Sequence, residues 1–123
     1  WVPGAYEIPL ACQTFIDTKR PEAVIAIGCI IRGETSHYEQ LAQSVTASLQ
    51  QISLARMIPI GFGITTVENL EQAASRAGGK QGNKGREAAR SALDMASLLR
   101  QLRGEEAKAT LHKLIEAEFK KRA

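Results

Sequence analysis

The eight-residue apolar run Val24-Ile25-Ala26-Ile27-Gly28-Cys29-Ile30-Ile31 is the strongest constraint on the fold of this chain. It is rich in β-branched residues and shows no alternation with polar ones, so it reads as a strand, Ala23–Ile31, buried on both faces in a parallel sheet. Arg32-Gly33 stops the run, and Glu34-Thr35-Ser36-His37-Tyr38 follows as a polar turn that holds one of only two histidines. In open α/β sheets ligands collect at the carboxyl ends of such strands. The apolar spacing after Glu39 makes this turn the opening of a helix as well, and helix-terminal amides suit an anion.

The same reasoning extends along the chain. Pro3-Gly4 turns into a helix over Ile8 to Thr18, with Pro9 tolerated in its first turn. Leu41, Val45, Leu49 and Ile52 give the helix Glu39 to Arg56 one apolar face. Pro59 leads into a second central strand, Ile58 to Thr65. Thr65-Thr66-Val67-Glu68 is a capping-box pattern for a helix with Leu70, Ala73, Ala74 and Ala77 inward, closed by a left-handed cap at Gly78-Gly79. The loop Lys80-Gln81-Gly82-Asn83-Lys84-Gly85 precedes an Ala-rich helix from Arg86 to Arg103. This alternation is that of a layered α/β domain.

At 123 residues the chain is one domain, and 44% hydrophobic with 24% charged residues is a globular balance. No stretch approaches the ~18 apolar residues of a membrane span. Trp1-Val2-Pro3-Gly4 has neither a basic nor an apolar leader region, lacks Met, and resembles the end of a strand. A preceding segment is therefore expected. Cys12 and Cys29 form no disulfide framework and no zinc-ligand cluster. They are expected to be buried reduced thiols, and the location cytoplasmic. The net charge of +3 divides unevenly, with −2 on residues 1–79 and +5 on residues 80–123. The basic residues alternate with acids along helices, the pattern of solvated faces rather than of a nucleic-acid surface. No GxGxxG or P-loop is present.

Four segments in fixed order carry more specific information: Val2-Pro3-Gly4-Ala5-Tyr6-Glu7-Ile8-Pro9, Ile30-Ile31-Arg32-Gly33-Glu34-Thr35-Ser36-His37, Glu71-Gln72-Ala73 with Arg76-Ala77-Gly78, and Gly82-Asn83-Lys84-Gly85-Arg86-Glu87-Ala88-Ala89. Over residues 1 to about 103 the chain resembles the lumazine synthase family. That resemblance implies a flavodoxin-like three-layer α/β/α sandwich with a parallel sheet of about four strands. It implies pentamers, or assemblies of pentamers, with active sites between subunits. The implied reaction condenses 5-amino-6-(D-ribitylamino)uracil with 3,4-dihydroxy-2-butanone 4-phosphate to 6,7-dimethyl-8-ribityllumazine, releasing phosphate and water, without metal or cofactor. The alternatives are a non-catalytic lumazine- or flavin-binding or shell-forming relative, and a generic phosphate-binding module of flavodoxin type.

By the resemblance, His37 is the catalytic residue, and an imidazole can pass protons in both directions near neutral pH. From the chain alone His37 also reads as a capping or core histidine. Glu34 and Thr35 match the turn that contacts the butanone phosphate, Thr35 being equally suited to an N-cap. Arg76 matches a phosphate-binding arginine supplied by the adjacent subunit, a task suited to the bidentate guanidinium. On its own it reads as a solvated charge at a helix end. Phe62 matches an aromatic packed on the pyrimidine, with its flanking glycines expected to let a flat ring approach. Ala5, Tyr6 and Glu7 match the segment that binds the ribityl chain, although Glu7 also suits a helix first turn. Cys29, Ile30 and Ile31 match the strand end whose backbone reads the uracil edge, and Lys84 and Glu87 are charged residues beside the site. Beyond Arg103 the resemblance ends. After Gly104, Glu105 to Lys121 reads as an extra amphipathic helix with Leu111, Leu114, Ile115 and Phe119 on one stripe and His112 off it. It is expected to pack on a neighbouring subunit or in the centre of an assembly.

Overall fold

The computed structural model describes residues 1–122. A 3-10 turn, Ala5–Glu7, runs into helix α1 (Ile8–Lys19), strand β1 (Val24–Ile31) and helix α2 (His37–Arg56). Strand β2 (Ile60–Val67) is followed by the short helix α3 (Leu70–Arg76), then by strands β3 (Ala77–Gly79) and β4 (Gly82–Asn83). Helices α4 (Lys84–Leu102) and α5 (Glu105–Arg122) complete the described chain.

β1 and β2 pair in parallel over their full length, from Val24 opposite Ile60 to Ile31 opposite Val67. Their side chains alternate between the two faces. The even-numbered face, with Ala26, Ile30 and Ile64, packs on Ile8 and Cys12 of α1 and on Val45 and Leu49 of α2 to form the core. On the other face α4 lies directly on β2. Glycine makes that approach possible, since a Cβ on Gly61 would come within 2.3 Å of the Ala88 carbonyl oxygen and 3.1 Å of the Ala92 Cβ. Helices thus cover both faces of a parallel sheet, the layering expected of an α/β/α sandwich. The parallel sheet among the described residues has two strands, against the implied four or so. β1 is buried on one face only: Ile25, Ile27 and Ile31 are exposed on the other.

Three expectations are corrected in the segment between β2 and α4. Thr65-Thr66-Val67 extends β2 instead of capping a helix, because β-branched residues fit the ladder opposite Cys29-Ile30-Ile31. The capping box lies further on: Asn69 Oδ1 accepts from the Gln72 amide at 2.9 Å, while Gln72 Oε1 accepts from the Glu68 amide at 2.9 Å. Leu70, Ala74 and Ala77, expected inward, are exposed, and Ala73 is half-buried. Finally, Gly78-Gly79 and the following loop form a small antiparallel hairpin, β3–β4, with Gly78 and Gly82 at φ +111° and +89°.

The starts of two of the helices also shift. α2 begins at His37 rather than Glu39, and α4 at Lys84 rather than Arg86, where Asn83 Oδ1 accepts from the Arg86 amide at 2.9 Å. α5 touches the rest of the molecule chiefly through α4, and none of its described residues is buried.

Candidate active site

The carboxyl end of β1 delivers Arg32 to Tyr38 as a turn tied back at both ends. The Arg32 amide donates to the Val67 carbonyl at 2.8 Å, which keeps the turn on the sheet. The Arg32 guanidinium meets Glu68, just past β2, at 3.3 Å, so the two strand ends are bridged in front of the sheet. Thr35 Oγ1 accepts from the His37 amide at 3.4 Å, satisfying one of the orphan donors at the start of α2. The N-cap position itself, Ser36, makes no side-chain cap bond. His37 therefore occupies the first turn of a twenty-residue helix, its side chain exposed, in the positive field of the helix N-terminus. Tyr38 instead turns inward and packs against the core.

At the outer edge of β2 a second group assembles. Phe62, Arg76, Lys84 and Glu87 line one open groove of about 520 Å³, floored by Ile64 and Ala88. Phe62 lies on the same sheet face as Ile60 and Ile64, and 46% of its surface is exposed. Gly61 and Gly63 point the other way, toward α4, so the glycines serve helix packing and not the approach of a ring to Phe62. Arg76 ends α3, its Nη1 donating to the Gln72 carbonyl oxygen at 3.3 Å. Lys84 and Glu87 are joined at 2.8 Å within the first turn of α4. A planar apolar surface, an arginine and a lysine thus face one opening, a combination suited to a flat heterocycle beside an anion.

A third group lies along β1, on the side away from β2. Ala5 and Cys29 line a groove of about 680 Å³ with Trp1, Val2, Gly4, Phe15 and the free edge of β1. Tyr6 and Glu7 sit beside it in the 3-10 turn, both exposed. Ile30 is a core residue, only 4% exposed, which leaves its backbone as the part able to meet a ligand. Cys29 is exposed, contrary to the expectation of two buried thiols, because the strand alternation turns it away from the core that holds Cys12. Burial pushes the Cys12 thiol above its ordinary range, since the thiolate is poorly solvated there.

The sequence-derived residues therefore fall into three sets: Ala5 to Glu7 with Cys29 at the β1 edge, Glu34 to His37 at the strand end, and Phe62, Arg76, Lys84 and Glu87 beyond β2. Sequence reading missed the Arg32–Glu68 bridge, whose only signal was a charged residue at each of two strand ends. Among the described residues no group of three or more His, Cys, Asp or Glu comes together to hold a metal ion. No helix among them is long and apolar enough to cross a membrane.

The family model for 6,7-dimethyl-8-ribityllumazine synthase matches residues 1–100. Proteins named 6,7-dimethyl-8-ribityllumazine synthase from Yersinia pestis (strain Pestoides F) and Yersinia pseudotuberculosis serotype O:1b (strain IP 31758) are 46% identical over 104 residues. The alignment spans 85% of this chain and 67% of each relative. With a family model matching most of its length and this degree of identity, the chain belongs to the 6,7-dimethyl-8-ribityllumazine synthase family.

Proposed function

We propose that this protein is an enzyme of riboflavin biosynthesis that condenses 5-amino-6-(D-ribitylamino)uracil with 3,4-dihydroxy-2-butanone 4-phosphate to form 6,7-dimethyl-8-ribityllumazine. The observation that carries this reading is the division of its matching residues between the two outer edges of one sheet, within a chain 46% identical to named synthases. No arginine lines the groove along β1, and no histidine lines the groove beyond β2. Two copies side by side would supply both, which supports a homo-oligomer with shared sites, in the form of pentamers or an assembly of pentamers.

In such a shared site the copy that supplies Arg76 also supplies Phe62, which packs on the pyrimidine of the uracil substrate, while the backbone of Cys29, Ile30 and Ile31 of the other copy reads its polar edge. Ala5, Tyr6 and Glu7 hold the ribityl hydroxyls, with Glu7 as acceptor. Lys84 and Glu87, from the same copy as Phe62, border that chain. The butanone phosphate lies at the start of α2, held by the turn amides at Glu34 and Thr35 and by Arg76 of the neighbouring copy. Much of the acceleration comes from holding amine and ketone together. His37 moves the protons: one is removed as the amine adds to the carbonyl, and one is delivered as water leaves. Arg76 stabilises the phosphate as it departs, where negative charge grows. We assign residues 1–103 to this catalytic unit and residues 104–123 to a helical extension, and we place the enzyme in the cytoplasm.

The non-catalytic alternative predicts binding without turnover. Mixing the protein with both substrates and following lumazine absorbance tests the proposal directly. Formation of lumazine faster than in the protein-free mixture supports it, and a rate equal to that mixture overturns it.

A further inference from the structure

We propose that α5 is a self-recognition element that pairs antiparallel with α5 of a second copy. This inference does not rest on the catalytic reading. Helix α5 exposes four large apolar side chains, Leu111, Leu114, Ile115 and Phe119, each with 45% or more of its surface accessible. Their spacing places them on one stripe of a helix about 27 Å long. A row of this kind on a helix that touches little beyond α4 is uncovered in a single chain.

Charge identifies the occupant and its direction. Two ionic residues interrupt the apolar stripe: Lys108, two turns before Ile115, and Glu118, two turns after Leu111. The helix's own dipole favours the acids Glu105 and Glu106 at its start and the bases Lys120, Lys121 and Arg122 at its end. It gives no reason for Lys108 and Glu118, whose signs run against it. A second copy does. In one antiparallel register Leu111 lies opposite Ile115 of the other helix and Lys108 opposite Glu118, while Leu114, on one flank of the seam, meets Leu114 of the second copy. Arg122 holds Oε1 of Glu118 at 3.2 Å, and the other carboxylate oxygen remains for Lys108 of the second helix. Parallel pairing would instead stack Lys108 on Lys108 and Glu118 on Glu118. The Lys108–Glu118 pairing thus selects the antiparallel orientation and this register.

Cysteine cross-linking in the whole protein tests this. In a Cys29→Ala background, one chain carries Leu111→Cys and a second, distinguishable by mass, carries Ile115→Cys. Under mild oxidation the mixed disulfide is expected to exceed both homodisulfides several-fold. Adding Lys108→Glu to the first chain is expected to lower mixed linking several-fold, and adding Glu118→Lys to the second to restore it. A helix whose charges serve only its own stability would show no such rescue. Dominant homodisulfides, absence of linking at high micromolar protein, or failure of the charge swap to restore linking would each overturn the proposal.

Discussion

Gly61 and Ala88 are in contact such that a single added methyl cannot be accommodated: a Cβ on Gly61 would stand 2.3 Å from the Ala88 carbonyl oxygen. That obstacle is backbone, so it cannot rotate aside. Through this contact the position of α4 on the sheet is set by β2, and with it the first-turn residues Lys84 and Glu87 that border the groove.

Gly61→Ala is therefore expected to force α4 away from the sheet. Overpacking of this kind costs about 1–3 kcal/mol. Urea unfolding should show a lower midpoint, and lumazine formation should fall through displacement of Lys84 and Glu87 even where the variant remains folded. Gly33→Ala is the control, because nothing lies within 4 Å of a Cβ placed there. Its midpoint should be little changed.

The contrast between Gly61 and Thr65 shows what was legible before the structure. Both central strands and the four longer helices follow from apolar periodicity, and β1 was found nearly residue for residue because a continuous β-branched run has few other uses. The capping box was misplaced because Thr-Thr-Val-Glu satisfies a helix-start pattern and a strand equally well; only pairing with Cys29 to Ile31 decides between them. The β3–β4 hairpin leaves no periodic mark in the sequence, since its strands are only three and two residues long. The glycines flanking Phe62 face α4 and not the groove that Phe62 lines. Their approach to Ala88 and Ala92 is a long-range contact that local spacing does not encode.

The two thiols should behave differently toward an aromatic disulfide reagent. Cys29 is exposed and should be modified rapidly in the native protein. Cys12 is buried and its pKa is raised, so at mildly alkaline pH it holds less thiolate than an open thiol, and the reagent reaches it only after opening of the fold. Two kinetic phases are expected, the slow one removed by Cys12→Ala and accelerated by subdenaturing urea. A thiol buried as an acid also favours the folded state only below the ordinary thiol range, and that contribution is lost as pH rises through the elevated folded pKa. Alkaline destabilisation should accordingly be smaller in Cys12→Ala than in the parent, measured by urea midpoints at neutral and alkaline pH. Equal labelling rates for the two cysteines would place Cys12 outside the core.

The proposed shared sites make a complementation prediction. Arg76→Ala and His37→Ala should each be nearly inactive alone, because one loses the phosphate ligand of a neighbour's site and the other its own proton carrier. When the two are unfolded together and reassembled, some interfaces pair an intact His37 with an intact Arg76, and part of the activity should return. Mixed oligomers with no recovered activity would mean that both residues serve one subunit's pocket, or that neither has the assigned role.

His37 carries the sharpest expectation. Proton transfer by a positioned side chain typically contributes ~10²–10⁴ in rate, and water or a neighbouring group replaces part of it when it is removed. His37→Asn should therefore lower single-turnover lumazine formation by about one to three decades. Asparagine keeps a short polar side chain at the start of α2, where the His37 amide is held by Thr35 and not by the imidazole, so the turn should survive. Affinity for the ribitylaminouracil, measured by direct titration, should change far less than the rate, because that substrate is assigned to Phe62, Tyr6, Glu7 and the end of β1. A variant that turned over normally, or that lost binding in proportion to its rate, would make His37 a structural residue of the turn and would leave the proton transfers to another group.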